Sequence, residues 1–288
     1  MEVEIIIPTH NCASACLRLL LNLMEQTSET NAESPAVGVC VVDDASTDET
    51  AETIERFVDA VRRTGITGWR FVRRMKRGNA GGARNVGVEG STAARVAFFD
   101  ADDDIAEGAL RRLLRAFSEA PEADCHIWGF TRLTKDGATT WLPNFSDPQT
   151  EYAIAPVGPW IKAVRREKFA QFPENVYCED CAWWFAQADR VDNVATIAEP
   201  LYIYDRRSKC FSSSLEQFQN HPRTLEDLAY NNVLVAAGDN DRAPSDCLRN
   251  LAALYDLRLS IRKDCVRKAW ASRFHNDYMG VLSGRWTF

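Results

Sequence analysis

"RVAFFDADDDI", Arg95 to Ile105, joins a short apolar run to four aspartates in five positions. An apolar, aromatic run bounded by polar residues reads as a buried strand, so the acids stand where that strand leaves the core. Spacing discriminates among uses of the cluster. A calcium EF-hand loop starting at Asp100 needs Gly at its sixth and Glu at its twelfth position, where Ile105 and Arg111 stand. An aspartyl nucleophile motif of D-x-D-x-Thr or Val type would want Thr or Val in place of Asp104. Asp103 or Asp104 can cap the helix expected over Glu107 to Ser118. Asp100 and Asp102 are left over, two hard-oxygen carboxylates suited to a divalent cation that keeps waters and binds substrate phosphates.

Upstream, strand-like runs alternate with helical patterns. Val3 to Pro8, Val37 to Asp44, "GWRFVRR" and "RVAFFD" read as strands; Cys12 to Glu25, Asp48 to Thr64 and the glycine-opened "GGARNVGVEGS" read as helices. This βαβαβαβ series predicts a mostly parallel sheet flanked by helices, with the ligand crevice at the C-terminal ends of the strands. A polar cluster follows each strand: "PTHN", "DDASTDET", "KRGNAGGARN" and "DADDD". Taken singly, each fits turn chemistry, as with Ser46 or Thr47 capping the second helix. Their recurrence in chain order points to one site. Gly78, Gly81 and Gly82 allow close backbone approach and Arg84 offers a guanidinium suited to phosphate. The spacing matches neither G-x-G-x-x-G nor G-x-x-x-x-G-K-S/T, which leaves dinucleotide dehydrogenases and P-loop NTPases unsupported.

The chain of 288 residues, 45% hydrophobic and 26% charged, has a formal net charge of −7. That length holds one large domain or a domain with an appendage, and that charge disfavours nucleic acid as partner. "MEVEIIIPTHN" has neither the basic nor the apolar region of a secretory signal, and no run reaches the roughly 20 apolar residues of a membrane span. A cytoplasmic location is therefore expected. Nine irregularly spaced cysteines fit a reducing compartment; Cys178 and Cys181 in "CEDC" lack the second pair that would make a metal or redox motif.

The segments "IIIPTHN", "VVDDASTDET", "GNAGGARNVGV" and "FFDADDD", in this order and spacing, resemble the inverting family 2 glycosyltransferases of GT-A fold. The resemblance covers Met1 to about Ser214. It implies a nucleoside pocket lined by Pro8, Thr9, Asn11, Asp43 and Asp44, with Asp44 the stronger candidate for the base. It places Gly81 and Arg84 at the donor diphosphate, and Asp100, Ala101 and Asp102 as the DxD motif holding Mn2+ or Mg2+ and the nucleotide-sugar, a UDP-sugar by family frequency. His10 departs from the commoner Tyr or aliphatic residue and bears on stacking with the base. The E-D pair of "VYCEDCAWWFAQA" implies Asp180 as the base that deprotonates the acceptor hydroxyl, with Glu179 orienting a loop or meeting the acceptor. On local sequence alone, both acids would equally serve the positive end of a helix.

Similar enzymes carry a lid segment where "PLYIYDRRSKCFSSS" stands, making Arg206, Arg207 and Ser212 candidate diphosphate contacts, with a solvated loop as the alternative. Trp160 is a candidate for stacking on an acceptor sugar or for the core. From residue 216 to 288 apolar residues recur at helical spacing, so a catalytic domain over 1–215 and a helical C-terminal extension are expected. The extension's basic residues, Trp270 and Trp286 suit peripheral contact with the inner face of a membrane, packing on the catalytic domain, or a homodimer. The implied activity is metal-dependent transfer of a sugar to a carbohydrate or lipid-linked acceptor, in surface polysaccharide or glycolipid synthesis. A sugar nucleotidyltransferase and a non-catalytic nucleotide-sugar-binding protein are the rivals; the first would carry a glycine-rich basic signature after the first strand, where "PTHNCASAC" stands, and the second needs no Asp100, Asp102 and Asp180 together.

Overall fold

All seven residues of β1 (Val3–Thr9) and of β2 (Val37–Asp43) are buried. Strands covered on both faces require helices on both sides of the sheet. α1 (Ala13–Thr30) and α2 (Thr50–Arg63) pack on each other over one face, and the helix before the fourth strand, crossing back, covers the other. The first buries Cys16, Leu19, Leu20 and Leu23 and the second Ala51, Ile54, Val58 and Val61, each at the three- and four-residue spacing of one helix face. β3 (Trp69–Arg73), α3 (Ala80–Glu89) and β4 (Arg95–Phe98) complete the expected series. α3 lies close on β1: a Cβ on Gly87 would fall 2.4 Å from Cγ2 of Ile6. The computed structural model describes residues 1–30, 36–156, 158–174, 179–207 and Lys263.

Past β4 the chain adds β5 (Asp104–Ile105), α4 (Ala109–Glu119), β6 (Cys125–Thr134), β7 (Gly137–Trp141), the single turn α5 (Pro148–Glu151), β8 (Lys162–Arg165), α6 (Glu179–Arg190) and β9 (Val194–Asp205). The sheet runs β3-β2-β1-β4-β8-β6-β9-β5, with β7 beside β6. β3, β2, β1 and β4 are mutually parallel. Direction reverses at β8, antiparallel to both β4 and β6, and β6 pairs in parallel with β9 across a register shift at Trp128 to Phe130. The parallel half is thus the sequence-predicted series, and of the second half the helix opened by Glu179 and Asp180 and the strand in "PLYIYD" were also expected.

Two capping expectations fail. The helix after the acidic cluster starts at Ala109 behind Gly108, which makes no side-chain cap; Asp103 and Asp104 bond elsewhere. α2 starts behind Glu49, also without a side-chain cap. Ser46 and Thr47 bond to Asn11 instead, while Asp48 accepts the Thr50 amide at 3.0 Å.

Candidate active site

The parallel strands end together at Thr9, Asp43, Arg73 and Phe98, and their loops are laced across the gaps between strands. Asn11 and Ala45 both have left-handed backbone, φ 48° and 56°. Asn tolerates that region, whereas Ala pays roughly 1–2 kcal/mol for it. The Asn11 amide donates to Ser46 Oγ at 3.0 Å and its side-chain oxygen accepts the Thr47 amide at 2.9 Å. These bonds hold the two strained turns against one another. Register partners Thr9 and Asp43 each bury a side-chain oxygen, Oγ1 and Oδ1, with no hydrogen-bond partner. Asp44 accepts Arg74 Nη1 at 2.6 Å and the Gly78 amide at 3.2 Å. Burial pushes the Asp44 carboxyl above its ordinary value despite Arg74.

"GNAGGARN" is spent on one attachment. Asn79 caps α3 by accepting the Gly82 amide at 2.9 Å and donates to the Pro173 carbonyl. Asn85 exchanges two 2.9 Å bonds with the backbone of Phe172. Gly81 is required by space, because a Cβ there would lie 2.8 Å from both Glu179 Cγ and Phe172 Cβ. Arg84, its side chain 4% exposed, donates to Asp100 at 2.7 Å and to Glu179 at 3.0 Å, with its guanidinium 5.1 Å from the centre of the Phe172 ring. Burial alone would lower the Arg84 pKa, but Asp100, Glu179 and Asp180 outweigh it and hold the guanidinium charged. One buried cation therefore ties the end of β4 to the start of α6, 95 positions away.

The acidic cluster divides its work. Burial and the neighbouring Asp100 raise the Asp102 carboxyl to about 6. Asp103, 1% exposed, turns inward: it accepts the Tyr202 hydroxyl at 2.7 Å and the Asp205 amide at 2.9 Å. Asp104 takes Asn22 Nδ2 at 2.7 Å. In α6 burial lifts the Glu179 carboxyl, opposed by Arg84 and reinforced by Asp180.

Residues 4–189 match the family model for glycosyl transferase family 2. The chain belongs to that family. A relative named as an uncharacterised glycosyltransferase of Mycoplasma pneumoniae is 26% identical over 196 residues, covering 64% of this chain and 61% of that protein. Among solved structures, S. aureus TarS 1–349 in complex with UDP-GlcNAc aligns over 99% of this chain and 82% of its own, at TM-score 0.61 and 17% identity. The mannosyltransferase PcManGT of Pyrobaculum calidifontis, in complex with GDP-Man and Mn2+, aligns over 99% and 81% at TM-score 0.55 and 18% identity. These likenesses establish the GT-A fold, and the chain spans less than two thirds of the length of the Mycoplasma relative.

Within this transferase Pro8, Thr9, Asn11, Asp43 and Asp44 share one sheet edge, while Arg84, Asp100, Glu179 and Asp180 form one charge cluster. Arg84, expected at the diphosphate, has both terminal nitrogens on protein carboxylates. The Asp44 carboxylate, expected at the base, is engaged by Arg74, a residue the sequence reading missed; its signal was a place beside the glycine loop, into which its guanidinium packs against Gly78 and Gly82. Trp160 stacks on Tyr202 and Tyr204, centroids 4.9 and 5.1 Å away, and meets Phe130 edge-on. Arg206 donates to the Tyr204 hydroxyl at 2.9 Å, and Arg207 grips Asp205 with two bonds. Ser212, Cys178, Trp270, Trp286 and the expected helical extension lie outside the described residues. Among the described residues no helix is long and apolar enough to cross a membrane.

Proposed function

We propose that this family 2 transferase moves a sugar from a nucleotide-sugar to an acceptor hydroxyl with inversion at the anomeric carbon, using a divalent cation held by Asp100 and Asp102. The observation that carries this reading is the Arg84 bridge, which brings the acids after β4 and the Glu179–Asp180 pair to one point. The donors in the two aligned structures, UDP-GlcNAc and GDP-Man, support a nucleotide-sugar; a UDP-sugar is the first to test. The nucleoside lies over Pro8, Thr9, Asn11, Asp43 and Asp44, where the partnerless oxygens of Thr9 and Asp43 suit a ligand with N–H and O–H groups.

Among the described residues no group of three or more His, Cys, Asp or Glu side chains is arranged to hold a metal. Two crowded carboxylates, one raised to about 6 by burial and its neighbour, fit an ion such as Mn2+ or Mg2+ that completes its shell with water and phosphate oxygens. Bound there, the ion would offset the charge gathering on the departing nucleoside diphosphate. Arg84 supports that pair by fixing Asp100 in place. The E-D resemblance assigns the proton to Asp180: the acceptor O–H gives its proton to the Asp180 carboxylate as its oxygen bonds the anomeric carbon. The bond from that carbon to the phosphate oxygen breaks with its electrons. Trp160 offers an aromatic face for the acceptor, a carbohydrate or lipid-linked hydroxyl in surface polysaccharide or glycolipid synthesis, and Arg206, Arg207 and Ser212 belong to the donor lid. A cytoplasmic enzyme, docked at the inner face of the membrane or dimeric through its C-terminal segment, fits these roles.

The test is nucleoside diphosphate release from a panel of UDP-, GDP- and TDP-sugars with and without Mn2+. Pyrophosphate turnover instead would indicate a nucleotidyltransferase, and no release a binding protein. In the active pairing Asp180→Asn lowers transfer by roughly two to four orders of magnitude, the worth of a general base, with donor affinity unchanged. Near-normal turnover with a lowered melting temperature would reduce Asp180 to a helix-terminal acid.

A further inference from the structure

The Tyr202 hydroxyl is fully buried and has two bonds, both to the acidic loop. It accepts the Asp100 amide at 3.0 Å and donates to Asp103 Oδ2 at 2.7 Å. Asp103 passes the tie onward by accepting the Asp205 amide through Oδ1. Two residues beyond, the antiparallel pairing of Asp104 with Ile203 and Ile105 with Tyr202 continues the attachment. The tyrosine ring is clamped by Phe99, 5.3 Å away and preceding Asp100, and by Trp160 at 4.9 Å. Asp100 and Asp102 therefore stand on a turn whose backbone is fixed at one end by a single phenolic oxygen.

We propose that Tyr202, acting with Asp103, is a positioning residue that sets the separation of the Asp100 and Asp102 carboxylates and so tunes metal-dependent donor binding; this rests on the metal reading above. A tie that merely stabilised the fold would affect all ligands alike. A tie that sets the carboxylate pair acts on the cation and diphosphate and spares the nucleoside, whose contacts are assigned to the ends of β1 and β2.

Tyr202→Phe keeps the ring, its burial and its stacking, and removes the hydroxyl. UDP binding by the full chain is titrated against Mn2+ well below the melting temperature, alongside uridine without metal. The expected result is about a tenfold rise in the Mn2+ concentration giving half-maximal UDP binding, the size of one lost buried hydrogen bond, with uridine affinity unchanged. An unchanged Mn2+ requirement, or equal weakening of uridine and UDP, overturns the proposal. If Tyr202→Phe does not fold, Asp103→Asn, of the same shape but without charge, takes its place with the same two outcomes. Wild-type binding of UDP that ignores Mn2+ would sink the metal reading itself, an outcome distinct from a variant that behaves as wild type in a Mn2+-dependent protein.

Discussion

Replacing Arg84 by Met tests the bridge that assembles the site. Met fills much of the same volume and removes the cation that meets both Asp100 and Glu179. Breaking a buried pair by deleting one partner costs about 3–5 kcal/mol, because the surviving charge is stranded. Here Asp100 is 29% and Glu179 18% exposed, so water recovers part of that loss, and the cation–π contact with Phe172 adds back less than 1 kcal/mol. The expected cost is about 3 kcal/mol at pH 8. It should shrink at pH 5. Without Arg84 the buried Glu179 carboxyl, already raised by burial, rises further, so the folded variant binds protons that the unfolded chain releases. Stability of the variant relative to wild type is then greatest in acid and falls as pH rises through that raised value. Urea unfolding of both proteins at pH 5 and pH 8 measures the difference. A cost below 1 kcal/mol, or one equal at the two pH values, would refute the bridge as the electrostatic link between β4 and α6.

Asp102→Asn should abolish the Mn2+-dependent part of nucleoside diphosphate binding, read as a ligand-induced rise in melting temperature; a retained Mn2+-dependent rise would remove Asp102 from the metal set. His126 is fully buried in β6, and burial, helped by Arg95 and opposed by the Ala116 backbone, lowers its pKa from 6.5 to about 4. A lowered basic group means that the unfolded chain binds the proton first, so its stabilising contribution is complete above 6.5 and lost as pH falls toward 4. Across that window the stability gap between wild type and His126→Leu should change by roughly 3 kcal/mol, and parallel pH profiles would contradict it.

The four parallel strands and the polar cluster after each were legible because both faces of those strands are buried, which writes near-continuous apolar runs such as Ile5 to Ile7. Most of the mixed half was not. β8 opens with Lys162, a fully buried lysine that donates to the Pro156 and Gly158 carbonyls and lies 4.2 Å from the Trp184 ring centre; a lysine whose charge is held by carbonyls and a ring face reads from sequence as an exposed loop residue. Of the site, residue types at strand ends could be recognised, but not their pairings. That Arg84 would face carboxylates, that Arg74 would occupy Asp44, and that Asp103 would turn to Tyr202 instead of capping a helix all depend on contacts between 16 and 99 positions apart.

The reversal of strand direction between β4 and β8 divides the molecule into two engineering units. On one side stand the strand ends assigned to the nucleotide; on the other stand Trp160, Tyr204 and the segments between β6 and α6. Chimeras that exchange residues 120–172 between family members should keep their donor and change their acceptor, provided Asn85 still finds a backbone at Phe172 and the ring facing Tyr202 is preserved. The seam is narrow enough that specificity can drift on one side while the other stays fixed.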